Sequence, residues 1–370
     1  MKPIFAALAL ACSVGFPFAA VAHRIPQINR IGDAVTGVSA DGSAVAAFAF
    51  IGNDLQIVRW TEASGPMPLG VGVAFDISRD GSTLVGSRFN GTTTRAVRWT
   101  ATTGIVELGQ LPGAGSASFN EAYDVSSDGS VIIGFADTNS TFGIPMVGFR
   151  WTAATGMVAL NDLPGGDVLA QASAISANGT VIVGYGTGPD SARAVRWINN
   201  STSPLNMGLP PGRVGFTEAR HVSGDGQVVV GVWGNGLENE AFRWTASTGY
   251  ELLGDLPGGL LDSIATATNH DGSVIVGTGN PGEDLPDQPF YWTRDRGLRP
   301  FVDVLTDAGI DYSEWERFVE LRDLSDDGLV VGGTGVLRDG TFAGFRAVIP
   351  EPSSTAPLLL GLLLAARRRK

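Results

Sequence analysis

Chemistry in this chain has to be drawn almost entirely from carboxylates and arginines. Three histidines, His23, His221 and His270, fall at no spacing that a zinc or iron site requires, and the single cysteine is Cys12. No serine has glycine at both −2 and +2, so the nucleophile elbow of a serine hydrolase is missing. The two lysines, Lys2 and Lys370, sit at the extreme ends, which leaves no internal amine for a Schiff base; every other cation is an arginine suited to a planar two-point grip on carboxylates. Acidic residues are dense at Glu283-Asp284-Leu285-Pro286-Asp287 and from Asp323 to Asp327. Such groups hold Ca²⁺, or serve as acid and base of a glycosidase, provided the fold fixes their separation; otherwise they are solvated loops and turns.

A second acidic series is periodic. Asp41, Asp80, Asp128, Asp225, Asp271 and Asp327, with Asn178 in the remaining place, each precede a glycine. Neither an EF-hand nor a nonapeptide calcium spacing accompanies them, and Asp-Gly between apolar runs is first of all a tight-turn signal, because glycine supplies positive φ at no steric cost. Gly184 to Gly188 and Gly231 to Gly236 imitate phosphate-binding loops, but strand-like sequence follows them where a helix should. Asn90 and Asn139 match a glycosylation sequon.

The elements around these residues repeat with a period in the forties, which points to a propeller or a solenoid. Each repeat reads as four short strands. An apolar strand runs into the Asp-Gly turn; an aliphatic triplet ending in glycine follows, as in Val131-Ile132-Ile133-Gly134; then comes a strand of the type Val97-Arg98-Trp99-Thr100; then a segment ending in Leu-Gly or Leu-Pro-Gly. The triplets do not alternate with polar residues, so both their faces are covered. With a period of two, Trp60, Trp99, Trp151, Trp197, Trp244 and Trp292 share one face, as wedges between modules, while Arg59, Arg98, Arg150, Arg196, Arg243 and Arg346 face the other way, as ties to neighbouring carboxylates or carbonyls. The seventh repeat lacks a fourth strand, and Ile28 to Gly32 resembles it. We therefore expect an all-β, seven-bladed β-propeller of four-stranded antiparallel blades over residues 23–349, its last blade closed by the N-terminal strand. An open solenoid is the alternative. Residues 298 to 318 interrupt the period with a short helix ended by Gly309.

The two ends have other business. Lys2, the apolar stretch from Ile4 to Phe18, and small residues at Ala20 and Ala22 read as a secretory signal over residues 1–22, cut by signal peptidase between Ala22 and His23. Residues 350–370 carry Pro350-Glu351-Pro352, an apolar segment from Ala356 to Ala366 too short for an ordinary membrane span, and a basic end. This tail resembles the PEP-CTERM sorting signal, which implies an exosortase-type processing enzyme as partner, transient insertion in the inner membrane, and a secreted or cell-surface location in a Gram-negative-type bacterium. The repeats, from about residue 34 to 348, resemble the bacterial extracellular repeat family named for a His-Ala-Phe tripeptide, with Glu240-Ala241-Phe242 and Arg95-Ala96-Val97 at the matching positions and the histidine replaced. That resemblance implies an extracellular location and no assigned chemistry.

Between residues 23 and 350 the net charge is about −16, a surface that repels nucleic acid. Apolar residues at 44% and charged residues at 17% suit a folded core. The expectation from sequence is thus a non-enzymatic surface or matrix protein binding an exopolysaccharide or another envelope component, with no catalytic, cofactor or metal residue assigned. The alternative is a propeller enzyme that acts on extracellular polysaccharide through channel carboxylates such as Asp284, Asp287, Glu314 or Glu316.

Overall fold

The computed structural model describes residues 27–115, 118–137, 146–166, 170–282 and 285–350. Ala22, His23, Glu351 and Pro352, and with them the expected leader and most of the expected sorting tail, lie outside the described residues. Among the described residues twenty-eight strands form seven four-stranded antiparallel sheets, with one helix, Phe301–Asp307, in the interruption where the sequence predicts it. Gly309 follows that helix at φ 67°.

The ring is closed. The first strand, Gln27–Arg30, pairs with the last, Phe342–Val348, in the register Gln27↔Val348 to Arg30↔Phe345, and supplies the outer edge of blade 7. At the inner end of each blade, backbone bonds pass from one Asp-Gly turn to the next: Ala40 N–H to Arg79 O, Ser127 to Ala177, Ala177 to Gly224, His270 to Asp326, and Asp326 N–H back to Ala40 O at 2.8 Å. Asp80 to Ser127 and Asp225 to His270 complete the circle. The solenoid is thereby excluded.

Packing explains why these sequences repeat. The buried apolar residues fall into seven clusters, one at each blade interface; Val85 and Ala96 of blade 2, for example, pack with Ala122, Ile132 and Trp151 of blade 3. The tryptophans are the wedges expected, and three of the six arginines are ties to carbonyls, while the Nε of Arg98, Arg150 and Arg196 finds no hydrogen-bond partner among the described residues. Arg59, Arg243 and Arg346 donate to Gly81 O, Gly272 O and Gly42 O, the turn glycines of the next blade. Arg98, Arg196 and Arg346 also lie over Trp151, Trp244 and Trp60 of that blade. In blade 6, where the arginine is replaced by Tyr291, the phenol donates to Gly328 O at 3.1 Å and makes the equivalent tie.

Each aspartate of the periodic series is a turn former. Asp41 Oδ1 accepts from Ser39 Oγ and from Ser43 N–H, and the same bonds recur at Asp80, Asp128 and Asn178. Burial works against ionisation at Asp41, yet the bonds from Ser43 and Ser39 win and hold its carboxyl below the usual range.

Candidate functional site

The inner strands do not run regularly. All seven carry a register shift at one place: between Val35 and Gly37, Ala74 and Asp76, Ala122 and Asp124, Ala172 and Ala174, Ala219 and His221, Ala265 and Ala267, and Leu321 and Asp323. A β-bulge re-aims the side chains beside it. In six of the seven blades a glycine of the aliphatic run sits opposite it, where a Cβ on Gly86, Gly134, Gly184, Gly231, Gly277 or Gly333 would lie within 1.8–2.1 Å of an inner-strand carbonyl oxygen; in blade 1 the place is taken by Ala47. The bulges set two rings of residues around the axis. One is Thr36, Phe75, Tyr123, Ser173, Arg220, Thr266 and Arg322; the next is Gly37, Asp76, Asp124, Ala174, His221, Ala267 and Asp323.

The first ring, and Asp76, Asp124, His221 and Asp323 of the second, line with Arg79 an axial cavity of ≈ 300 Å³ to which every blade contributes, while Ala174 and Ala267 are buried in blade interfaces. Asp76 and Asp124 are neighbours in the second ring, close enough for their carboxyl groups to act on each other. Burial first, then the charge of Asp124, pushes the Asp76 carboxyl well above the ordinary carboxylate range. Asp124 is fixed by two backbone bonds, from Val125 N–H at 2.5 Å and from Ile175 N–H of blade 4 at 2.7 Å. Gly37 stands between Asp76 and Asp323 in the ring, and a Cβ there would lie 2.5 Å from Asp76 Oδ1.

Asp323 is 6% exposed and crosses the interface in the same way: its Oδ2 accepts from Val38 N–H of blade 1 at 2.7 Å. Its Oδ1 has no hydrogen-bond partner among the described residues. Burial raises the Asp323 carboxyl against the opposing pull of Arg79 and His221. Arg79 reaches over blade 1 to donate to Leu324 O at 3.1 Å and to pair with Asp326, with its Nη1 4.0 Å from Asp323 Oδ1. Burial disfavours that guanidinium, but Asp323 and Asp326 keep it charged.

His221 is held neutral by burial, against the attraction of Asp323 and Asp124. Its Nδ1 accepts from Thr268 N–H at 3.3 Å, so the proton of the neutral ring is on Nε2. Above these groups the wall changes character. Phe75 and Tyr123 meet edge to face at 5.3 Å on one side, while Arg220 and Arg322 on the other are paired to Glu218 and Glu320 at 2.6 and 2.8 Å. Among the described residues no cluster of three or more His, Cys, Asp or Glu side chains is arranged to hold a metal ion.

The carboxylates named from sequence are placed differently. Asp287 and Glu316 line a cleft of ≈ 210 Å³ between blades 6 and 7, where burial, then Asp262 and Asp255, raises the Asp287 carboxyl; Glu314 is exposed on its loop, and Asp284 lies outside the described residues. None of the described three lines the axial cavity. Of the acidic stretch Asp323 to Asp327, Asp323 belongs to the site, Asp326 to the belt and Asp327 to a turn. Asp76 and Asp124 were missed. Their signal is nevertheless in the sequence: every member of the second ring stands four residues before its turn residue, and that column reads Gly, Asp, Asp, Ala, His, Ala, Asp, while the two columns after it hardly vary, the first aliphatic and the second serine, each in six of seven repeats.

No family model and no curated protein matches the chain. Among solved structures, it is similar to an oligogalacturonate lyase in complex with manganese, at 15% identity and a TM-score of 0.55 over 88% of this chain and 90% of that one. It is also similar to the oligogalacturonate lyase of Vibrio parahaemolyticus, at 12% and 0.58 over 88% and 91%. A third is the β-propeller domain of the trilobed protease of Pyrococcus furiosus, at 10% and 0.52 over 86% and 94%, described as having an open velcro topology. These likenesses are of fold. They correct the expectation of a non-enzymatic chain all the same, because propellers of this size and span include enzymes, and here the axial cavity carries acid–base groups.

Proposed function

We propose that this chain is a propeller enzyme that cleaves glycosidic bonds of an extracellular polysaccharide in its axial cavity. The carrying observation is the placing of two unlike carboxyl groups beside the gap at Gly37: Asp76, pushed well above the ordinary carboxylate range by burial and by Asp124, and Asp323, with one oxygen left without a hydrogen bond among the described residues. A carboxyl whose pKa is raised in this way is suited to serve as general acid for a leaving oxygen. A buried carboxylate of raised basicity with a free lone pair is the base, or the nucleophile, on the other side. His221 adds an Nε2–H donor that is neutral, and Arg79 positions Asp323 and balances its charge. The Phe75–Tyr123 wall offers a stacking face for a sugar ring.

Two of the neighbours named above are oligogalacturonate lyases, named for an acidic sugar. In this site the one buried cation, Arg79, is already taken by Asp326 and the Leu324 carbonyl, and the rim arginines are paired, which favours hydrolysis of a neutral chain. Incubation with neutral and acidic polysaccharides, scored for new reducing ends and for the ultraviolet absorbance of unsaturated uronates, tests this. Reducing ends without that absorbance, lost in Asp76→Asn and in Asp323→Asn, are expected; no cleavage of any glycan would refute the reading.

The proposal includes the location implied by the two ends of the sequence: export, then processing at Pro350-Glu351-Pro352 by an exosortase-type enzyme. Intact mass of the native protein checks both cuts.

A further inference from the structure

The exposed large apolar residues among those described include three aromatic ones, Phe50, Phe89 and Phe342, at 66%, 62% and 54% exposure. They are not scattered. In blade 1 the strand residue facing the tryptophan is Val45, and Phe50 stands five residues on; in blade 2 it is Leu84, and Phe89 stands five on. The corresponding pair in blade 7 is Val331↔Ala347, five on is Val336, and Val336 lies opposite Phe342. The three rings therefore occupy one height and one face on three consecutive blades, 7, 1 and 2, at the end of the propeller away from the Asp-Gly turns. Stacked sheets lie about 10 Å apart, so the rings step around the rim by about that distance or a little more. Isolated surface phenylalanines need no explanation, but an aligned exposed row marks a binding surface.

We infer that Phe342, Phe50 and Phe89 form a polysaccharide-binding strip, separate from the axial cavity, for a neutral chain of pyranose rings. Pyranoses with equatorial hydroxyls present flat C–H faces that phenyl rings cover, and a linear chain laid along the rim meets each ring with an alternate sugar. The net charge of −12 argues for a neutral chain over a polyanion. Adjacent polar edges are at hand: Asn90 follows Phe89, and Asp33 is held at the base of Phe50 by its bond to Phe50 N–H. This inference takes only its ligand class from the proposed activity, since binding at the strip needs no residue of the cavity.

The test is affinity electrophoresis of the full chain carrying Asp76→Asn, so that cleavage plays no part, in native gels containing hydroxyethylcellulose, xylan or carboxymethylcellulose. Retardation by hydroxyethylcellulose or xylan and little by carboxymethylcellulose is expected. Each Phe→Ala change weakens it about three- to tenfold, and the triple variant runs as in a gel without polymer. Unchanged melting temperature of the triple variant verifies the fold, and undiminished cleavage of short oligosaccharides by the triple variant with Asp76 restored separates strip from cavity. No retardation by either neutral polymer, or equal retardation of the triple variant, overturns the inference. So does a concentration-dependent dimer lost with the three rings, which would assign the strip to a second copy of this chain.

Discussion

Asp76 costs the fold something that function repays. A carboxyl whose folded pKa lies above its unfolded one favours folding only while it is protonated: the contribution is complete below the unfolded value, near 3.9, and disappears as pH rises through the folded value. Above that range the protein carries a destabilising ionisable group in its channel. Asp76→Asn keeps the shape of the side chain without an ionisable group. It is expected to raise stability at neutral pH by on the order of 1 kcal/mol, with the advantage shrinking toward pH 4, while cleavage is lost. Denaturant titrations of both proteins across that pH window measure the sign; a destabilised variant at pH 7 would show that Asp76 is not raised above its unfolded pKa. The rate profile follows from the same two groups. Cleavage falls on the alkaline side as Asp76 ionises and on the acid side as Asp323 takes a proton, and Asp76→Asn removes the rate rather than shifting the curve.

At the scale of the strand, the site rests on bulges, and six of the seven bulges lie opposite a glycine, with Ala47 in that place in blade 1. Gly231 illustrates the dependence: it pairs with Ala219, two residues before His221, and a Cβ would lie 2.0 Å from the Glu218 carbonyl oxygen. Gly231→Ala is expected to lower stability by about 2–3 kcal/mol and to displace His221, with both a lower denaturant midpoint and a fall in cleavage larger than instability explains. The sequence shows these glycines plainly, as the ends of Val228-Val229-Val230-Gly231 and its relatives. It also shows turn, wedge and tie, because each answers to a local rule of φ, alternation or charge. The bulge does not show, since it is a property of two strands in register and not of either alone. Without it, period-two counting gives no reason to aim Asp76 or Asp124 at the axis, and attention passes to loop carboxylates such as Asp287 and Glu316, which the structure sends to the cleft beside Phe301 and Phe318.

For the whole molecule, closure makes the cavity. Three of its polar groups are held across blade boundaries: Asp124 by blade 4, His221 by blade 6, and Asp323 by blade 1, through the Val38 N–H. Arg79 joins blade 2 to blade 7. The bonds at Asp323 and Arg79 both depend on blades 7 and 1 staying in contact, which is the place where the chain's two ends meet. The Gln27–Arg30 strand caps the edge of blade 7, and Ile31, fully buried, joins Val35 and Trp60 of blade 1 to Val330 and Val348 of blade 7 in one cluster. Removing residues 23–31 therefore strips an edge strand and empties part of the interface that positions Asp323. An unpaired edge of this kind invites association. The truncated protein is expected to lose several kcal/mol, to unfold in more than one step, and to lose cleavage before it loses its β-sheet signal, because blade 7 moves away while the other interfaces hold. Circular dichroism and residual activity followed together through a urea titration measure this; coincident single transitions in the truncated and intact proteins would mean that the ring stays closed without its terminal strand.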